Sequence, residues 1–315
     1  MGTGLALCRG DWVRLSVLWR FESSTFMRTT SLRSSTMIFS LPLLVCLSMV
    51  GTEGQHDESI RVMTWNVLVG FQTYQQEGDP WPEGKVRLAE ATDFLKEARP
   101  DIVAWQEMNG WTPERLVDWT RPLGLTHGVF VKEGGYPVAL SSRWPIEVVE
   151  RHLNGMHHGL LHCRTHGIDF LVVHFSPGSH PHRLREIEQV MQRVERLKAE
   201  KKPCMVLGDF NASSPQDDAL FGESAMNWWR RWKYPVTDAG RPQTDILQRA
   251  LDSDLKDAWL LHRPDTIKLF QNRPRIDFIL LSKDLAGRCT SAEWLDTSVH
   301  HRMSDHPPTI ADIQL

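Results

Sequence analysis

The spacing of apolar positions changes several times along the chain after residue 60. The segment "IRVMTWNV" (60–67) is rich in β-branched and aromatic residues, which predicts a strand. In "KVRLAEATDFLKEA" (85–98) apolar residues recur every three or four positions and stop before Pro100, which predicts a helix. Similar patterns predict strands in 101–108, 136–153, 159–176, 204–211, 275–282 and 306–315, and a charged amphipathic helix over 182–200.

Strands and helices interleave in this reading, but hairpin-like pairs also occur, for example around Gly167. A mixed α/β architecture is therefore favoured over a purely parallel sheet. After residue 60 the sequence contains no internal repeat, linker-like composition or low-complexity run. We predict that residues 55–315 form one domain.

The first 54 residues differ in composition from the rest. Arg28 and Arg33 precede a 14-residue apolar stretch (37–50), and small residues follow it, which is the pattern of a secretory signal peptide. A spanning helix usually needs about 18 apolar residues or more. We predict export, either secretion or delivery to a periplasm, with an uncleaved membrane anchor at 37–50 as the alternative. A start at Met27 or Met37 fits this organisation better than a start at Met1.

Composition limits the function classes only mildly. The chain has 315 residues, of which 41% are hydrophobic and 24% charged, as in ordinary globular proteins. Its net charge of −3 gives no global basic field of the kind that a high-affinity nucleic-acid binder uses. A nuclease that uses metal ions as counter-charge stays compatible with this value. The remaining cysteines, Cys163, Cys204 and Cys289, are odd in number and irregularly spaced, which predicts neither a disulfide framework nor a zinc site.

Several polar side chains stand where predicted apolar strands end. Side chains alternate along a strand, so Asp209 and Asn211 leave the strand "CMVLGDFN" on the same side. Any one such residue is more often a turn or structural residue, but their joint occurrence predicts a functional site. The set comprises Asn66, Gln106, Glu107, His174, Asp209, Asn211, Asp277, Asp305 and His306.

The segments "MTWNV", "DIVAWQE", "PVALSSRWPI", "LVVHFSPGS", "VLGDFNAS", "RIDFILLS" and "SDHPP" together resemble the endonuclease/exonuclease/phosphatase superfamily. They span residues 61 to about 310. The resemblance implies the deoxyribonuclease I-like fold, an α/β four-layer sandwich of two mixed β-sheets packed face to face with helices outside. It also implies hydrolysis of a phosphoester with one or two ions of Mg²⁺ or Mn²⁺.

The metal set follows from this resemblance and from ligand chemistry. Mg²⁺ prefers oxygen ligands and takes only one or two carboxylates from a protein. We expect Glu107 to be the first ligand, with Asn66 either supplying an amide oxygen or aligning its neighbours. Asp305 would complete the site or hold a second ion.

The resemblance assigns the remaining groups to the reaction itself. Asp209 would orient and help to deprotonate the attacking water, and Asn211 would donate a hydrogen bond to that water or to the phosphate. His306 would contact the phosphate, with Asp277 fixing its other ring nitrogen and neighbouring Asp305 as the alternative partner. His174 would bind phosphate or protonate the leaving group.

Two regions depart from the family pattern. Tyr136-Pro137 stands where the family usually has a glycine, and residues 215–272 match no part of the pattern. Within the latter, "MNWWRRWKYP" (226–235) could stack bases and contact phosphates, seat in a lipid interface, or cover the core. The candidate substrate contacts are Trp228, Trp229, Arg230 and, on the long charged helix, Arg185, for which a solvated helix face is the alternative.

The sequence therefore predicts an exported, divalent-metal-dependent phosphodiesterase that uses in-line attack by water. Nuclease activity on a nucleic acid is weakly favoured. A phospholipid (sphingomyelin-type) phosphodiesterase, acting on a lipid head group, and a sugar or inositol phosphatase remain alternatives. A non-catalytic binding module on the same fold is disfavoured because all the acid, amide and imidazole groups are present.

Overall fold

The computed structural model describes residues 59–73, 82–231, 241–263 and 274–315. The predicted extension 1–54, its apolar segment 37–50 and residues 232–235 of the tryptophan-rich segment lie outside the described residues. Within the described ranges, no helix combines the length and apolar character needed to span a membrane. The described cysteines Cys163, Cys204 and Cys289 are buried and unbridged.

Twelve strands of the described chain form two sheets of six. The first sheet has the order β11-β12-β1-β2-β4-β3, and the second has the order β5-β6-β7-β8-β10-β9. The strands are β1 (Ser59–Asn66), β2 (Ile102–Gln106), β3 (His127–Phe130), β4 (Ala139–Ser142), β5 (Glu147–His152), β6 (Leu160–Thr165), β7 (Ile168–His174), β8 (Cys204–Asp209), β9 (Lys256–Asp257), β10 (Asp277–Leu281), β11 (Cys289–Trp294) and β12 (Thr309–Gln314). Each sheet is mixed because β1 and β2 pair in parallel, as do β7 and β8, whereas the other pairs described are antiparallel.

Eight α-helices lie between these strands in the described chain. They are α1 (Gly84–Ala98), α2 (Pro113–Thr120), α3 (His180–Ala199), α4 (Glu223–Arg231), α5 (Asp245–Asp252), α6 (Ala258–His262), α7 (Lys283–Ala286) and α8 (His300–Met303). Helix α3 begins two residues before the predicted start because the Ser179 side chain accepts a hydrogen bond from the His182 backbone N–H and caps the helix.

The apolar side chains separate into layers. Those on the inner faces of both sheets, such as Val62 and Leu140 against Phe170 and Leu207, form one central cluster. The opposite face of the first sheet packs against α1 and α2, and that of the second sheet packs against α3 and α5. The predicted four-layer sandwich is confirmed.

Strand register brings the predicted polar residues to one end of the sandwich. His174 lies opposite Asp209 in the parallel pair of β7 and β8, and Asp209 lies opposite Asp277 in the antiparallel pair of β8 and β10. In the other sheet, Asn66 lies opposite Gln106. Groups separated by 35 to 68 residues in sequence therefore become neighbours.

Gly208 makes this close approach feasible. Its φ is +138°, and a Cβ atom at this position would lie 1.9 Å from the carbonyl oxygen of Val173 on β7. Only glycine can adopt this backbone conformation at such a distance without displacing the neighbouring strand. The glycine of "GDFN" thus sets the spacing between the ends of β7 and β8.

Candidate active site

Asp209 lies at the centre of the polar cluster and is fully buried. Its Oδ1 accepts a hydrogen bond from the Asn211 backbone N–H at 2.7 Å, and its Oδ2 accepts one from Asn66 Nδ2 at 3.1 Å. Burial, reinforced by the negative charge of Asp277, raises the pKa of Asp209 to about 7. A carboxylate with such a pKa is suited to accept a proton at neutral pH.

His306 and Asp277 form a buried pair beside this carboxylate. His306 Nδ1 lies 2.8 Å from Asp277 Oδ2 and 3.8 Å from Asp209 Oδ2. Burial alone would lower the pKa of His306, but the charges of Asp277, Asp305 and Asp209 outweigh it and raise the pKa to about 10. The imidazole is therefore a cation, and it bonds to Asp277 rather than to its sequence neighbour Asp305.

Glu107 and Asp305 contribute negative charge to the same cavity. Glu107 Oε2 accepts a hydrogen bond from the Val69 backbone N–H at 2.8 Å, and burial together with the charge of Asp305 raises the pKa of Glu107. Asp305 Oδ1 is buried and has no hydrogen-bond partner among the described residues. Two carboxylates that repel each other, one with an unpartnered oxygen, fit the donor set of a hard divalent cation.

Asn66 fits the aligning role better than the role of a metal ligand. Its Nδ2 donates to both Asp209 and Glu107, at 3.1 Å and 3.3 Å, and its Oδ1 accepts from the Leu68 backbone N–H at 3.1 Å. The amide oxygen is thus already engaged. Asn66 fixes the general-base candidate relative to the ligand candidate.

A second group of donor atoms could also hold a metal ion. Atoms of Asp209, Asp277 and His306 lie within 4.8 Å of one another. The sequence-based ligand set, Glu107, Asn66 and Asp305, does not include these residues. His306 Nδ1 is already bonded to Asp277 Oδ2, which leaves Asp277 Oδ1 and, in the sequence-based set, Asp305 Oδ1 as buried oxygens without a partner among the described residues.

His174 is present in the site as a neutral ring. It is 2% exposed, and its Nε2 lies 3.4 Å from Asp209 Oδ2. Burial, helped by the neighbouring His158 and His306, lowers the pKa of His174 far below its ordinary value. His158 stacks on it with ring centroids 4.1 Å apart. A neutral imidazole can donate one hydrogen bond to a phosphate but does not supply a positive charge.

Backbone strain is concentrated around the site. Leu68, Val69, Glu107 and Asn211 have φ values of 46°, 49°, 59° and 47°. Left-handed conformations cost non-glycine residues of the order of 1–3 kcal/mol each and persist only where surrounding contacts hold them. Here the Val69 N–H is bound by Glu107 and the Asn211 N–H by Asp209. The strained loops are therefore fastened by the site carboxylates.

Sequence reasoning missed Arg87, which is fully buried beneath the site. Its guanidinium donates to the carbonyl oxygens of Val67, Gln72 and Met303, each at 2.8 Å. It ties the strained loop beside Glu107 to the chain that leads to Asp305. Its position on the predicted helix gave no signal, because charged residues on an amphipathic helix are usually solvated.

Of the four predicted substrate contacts, only Trp228 is among the described residues that line the active-site cavity. Trp228 lines a cavity of about 370 Å³ that also exposes Glu107, Asp209, Asn211, His174, Asp305 and His306. Trp229 is 1% exposed, as the alternative of a core-covering residue predicts. Arg230 is exposed and donates to Asn227 Oδ1, and Arg185 is exposed on α3 outside the described cavity lining.

Solved structures of other proteins share this architecture. An AP endonuclease from Archaeoglobus fulgidus superposes with a TM-score of 0.60 at 19% identity, over 81% of this chain and 100% of that one. A 3′-5′ exonuclease (NExo) from Neisseria meningitidis gives 0.58 at 21% identity, over 81% and 100% of the two chains. A Neisseria 3′ phosphatase NExo bound to product DNA hairpin gives 0.57 at 20% identity with the same coverage. At such identities the likeness establishes the deoxyribonuclease I-like fold.

No curated protein sequence matches the chain. The model of the Endonuclease/Exonuclease/phosphatase family, in contrast, matches residues 63–306. That range begins within β1, ends at His306 and includes every acid, amide and imidazole described above. The chain therefore belongs to the endonuclease/exonuclease/phosphatase family, whose members are metal-dependent hydrolases of phosphoester bonds.

Proposed function

We propose that this protein is a divalent-metal-dependent phosphodiesterase that acts on a nucleic acid. The observation that carries the proposal is the pairing of Asp209 with His306. Their pKa values are raised to about 7 and about 10, and Asp209 Oδ2 lies 3.8 Å from His306 Nδ1. A base and a cation side by side are what hydrolysis of an anionic ester requires.

In this proposal Asp209 accepts a proton from the attacking water. Asn66 and the Asn211 backbone N–H hold the carboxylate in place, and the His306 cation, fixed by Asp277, stabilises charge that develops on the phosphoryl oxygens. Glu107 and Asp305 would hold the metal ion. When bound, the ion would polarise the phosphoryl oxygen and steady the leaving alkoxide.

The nucleic-acid assignment is supported by the similar structures, which include an AP endonuclease and a phosphatase bound to product DNA hairpin. That second neighbour also makes a phosphatase acting on a nucleic-acid 3′ end the second candidate. The family match covers phosphodiesterases and phosphatases alike and does not separate them.

The test uses bis-p-nitrophenyl phosphate followed by a substrate panel. We expect a chelator to abolish hydrolysis and Mg²⁺ or Mn²⁺ to restore it, and Glu107→Gln to raise the metal concentration needed for half-maximal rate. Glu188→Gln, on the exposed side of α3, is the matched control. The panel comprises single-stranded and duplex DNA, RNA, 3′-phosphorylated DNA, sphingomyelin and phosphoinositides. Activity that ignores the chelator, or a preference for either lipid, would overturn the proposal.

We further propose that residues 1–54 direct export, on the basis of the apolar stretch 37–50 and the arginines before it. Expression of the full chain in a secreting host, followed by N-terminal sequencing of the mature protein, tests this. Recovery of the uncleaved chain in the membrane fraction would favour the anchor instead, and recovery only in the cytoplasm would contradict both.

A further inference from the structure

The walls of the active-site cavity differ chemically from its floor. The floor carries the acids and imidazoles described above, whereas the walls are formed by Tyr136, His157, His158, Pro177 and Trp228. None of the described residues that line this cavity is a lysine or an arginine. A groove that follows a phosphate backbone normally presents several such cations. The cavity walls therefore suit a ring better than a run of phosphates.

The rings on one wall form a continuous series that leads inward. Tyr136, 43% exposed at the rim, has its ring centroid 5.5 Å from that of His158. His158 is 7% exposed and stacks on His174, whose Nε2 lies 3.4 Å from the carboxylate of Asp209. Burial lowers the pKa of His158 to about 3, so that this ring is neutral and adds no positive charge behind Tyr136.

Tyr136 and Trp228 belong to the two regions that depart from the family pattern, at Tyr136-Pro137 and within 215–272. Tyr136 lies with Pro177 and Trp228 around one opening, and aromatic side chains grouped in the lining of a concave cavity are typical of ligand-binding sites. Pro177 and Trp228 supply further apolar surface around the same opening. The cavity, at about 370 Å³, is at the small end of ligand sites and admits one ring system rather than a helix of nucleic acid.

We infer that Tyr136 and Trp228, with His158 packed behind Tyr136, form a ring-binding subsite that receives the nucleobase next to the scissile phosphate. The preferred substrate is then a phosphodiester whose neighbouring base is unpaired, at a strand end or in a single strand. Bases inside a duplex keep their faces stacked on each other and cannot offer them to the wall. This inference rests on the proposed function and names the substrate feature that its site reads.

The experiment compares two esters with the same leaving group: thymidine 5′-p-nitrophenyl phosphate and methyl p-nitrophenyl phosphate. Stacking of one base is worth about 1–3 kcal/mol, so we expect Tyr136→Leu and Trp228→Leu each to lower the ratio of kcat/KM for thymidine over methyl ester by about 5- to 150-fold. Trp144→Leu is the control, since Trp144 stacks on His166 outside the described cavity lining. It should leave the ratio unchanged.

Calorimetric binding of thymidine 5′-monophosphate and of methyl phosphate separates failure of the subsite from failure of the proposed function. If wild-type protein hydrolyses neither ester but binds thymidine monophosphate more tightly, and the Tyr136 and Trp228 variants lose that difference, the subsite stands while the proposed reaction fails. If wild-type protein hydrolyses both esters and all variants keep the wild-type ratio, the subsite is overturned while the reaction stands. Thermal melting of each variant checks that it is folded.

Discussion

Two clusters in this domain each bury a pair of carboxylates around one cationic side chain, yet they differ in what they leave open. The first, which we call the catalytic cluster after its proposed role, contains Asp209, Asp277 and His306. The arginine cluster contains Arg275, Asp217 and Asp257. Both lie in the protein interior, and "RIDF" supplies one residue to each, so neither burial nor position in sequence distinguishes them.

The arginine cluster has its donors engaged. Arg275 Nε donates to Asp217 at 3.2 Å, Nη1 donates to Asp257 at 3.0 Å, and Nη2 donates to both. The guanidinium carbon also lies 4.3 Å from the ring centroid of Trp259 and 4.5 Å from that of Phe278. Its charge does not titrate, and both carboxylates are occupied. Such a cluster fixes the chain that enters β10 and does no chemistry.

The catalytic cluster keeps open positions. Asp277 Oδ1 is buried without a hydrogen-bond partner among the described residues, as is Nδ1 of the neighbouring His174, and Asp209 and His306 line a cavity. Its cation is an imidazolium, which can exchange its proton. The comparison indicates that a buried charge becomes functional where its hydrogen bonding is incomplete and its cation can titrate, and that a complete set of bonds marks a scaffold.

The largest expected effect is on the scaffold. Arg275→Met leaves two carboxylates buried without their cation, and breaking a buried ion pair in this way costs about 3–5 kcal/mol. We expect a fall of that size in the free energy of unfolding measured in urea. Arg249→Met, at an exposed arginine, should change it by about 0.5 kcal/mol or less. A loss below about 1 kcal/mol for Arg275→Met would show that the arginine cluster is not a scaffold.

The second prediction makes the same aspartate-to-asparagine change in each cluster and compares turnover with stability. Asp209→Asn preserves the shape of the side chain but removes the proton acceptor, so turnover of bis-p-nitrophenyl phosphate should fall by about 10²-fold or more. Asp217→Asn, the equivalent change in the arginine cluster, should lower the free energy of unfolding by about 1–3 kcal/mol and leave turnover within about twofold. Near wild-type turnover in Asp209→Asn would refute the assignment of Asp209.

Sequence reasoning recovered the parts of this comparison that depend on local pattern. Strand ends such as "VVH" and "LGD" identified His174 and Asp209, and the four-layer sandwich followed from the family segments. The pairing of His306 with Asp277 followed from the same resemblance, together with the need of such an imidazole for a carboxylate partner, and the structure shows this hydrogen bond. The strand ends could be read from the sequence because strand alternation is a short-range rule, whereas the sandwich and the pair required the resemblance.

Contacts that depend on long-range packing could not be predicted from the sequence. Arg275 and Arg87 appear in sequence as ordinary cations, and only the fold shows that each is buried among acceptors from distant segments. The stack of His158 on His174 depends likewise on which loops close over the site. Tyr136 was visible only as a departure from the family pattern. Its place in the cavity wall required the structure.

A third prediction concerns the spacing that keeps the catalytic cluster open. Gly208→Ala places a methyl group against the Val173 carbonyl, where the Cβ distance of 1.9 Å forces β7 and β8 apart. Overpacking of this kind costs about 1–3 kcal/mol of stability. Because the same two strands carry His174 and Asp209, turnover should fall in the folded fraction as well. Gly167→Ala, at a turn where a Cβ would meet no atom within 4 Å, is the control for left-handed backbone strain alone. Equal effects of the two variants on turnover would contradict the spacing argument.

The smallest expected effect is on the pH dependence of stability. It concerns His158 in the cavity wall, which titrates, whereas the arginine cluster keeps its charge at all pH values of interest. His158 is faced by His157, His174, Lys132 and the ring of Tyr136, and burial, followed by the nearby positive charges, lowers its pKa to about 3. An unfolded histidine titrates near 6.5. Between these values the unfolded chain binds the proton more readily, so the stability that His158 contributes is complete above about pH 6.5 and declines as the pH falls towards 3.

His158→Phe keeps a ring on His174 but removes this titration. We expect the wild-type protein to lose about 1–2 kcal/mol more than the variant between pH 8 and pH 5 in urea unfolding, with the two proteins closer at pH 8. His166→Phe, which keeps a ring against Trp144 at the surface, is the matched control and should follow the wild-type pH dependence. The remaining acid sensitivity of His158→Phe includes the contributions of His174, His157 and His300, whose pKa values burial also lowers. If His158→Phe kept the full pH dependence, His158 would have to bind its proton as readily in the folded as in the unfolded chain, and the wall of the cavity would be cationic at pH 5.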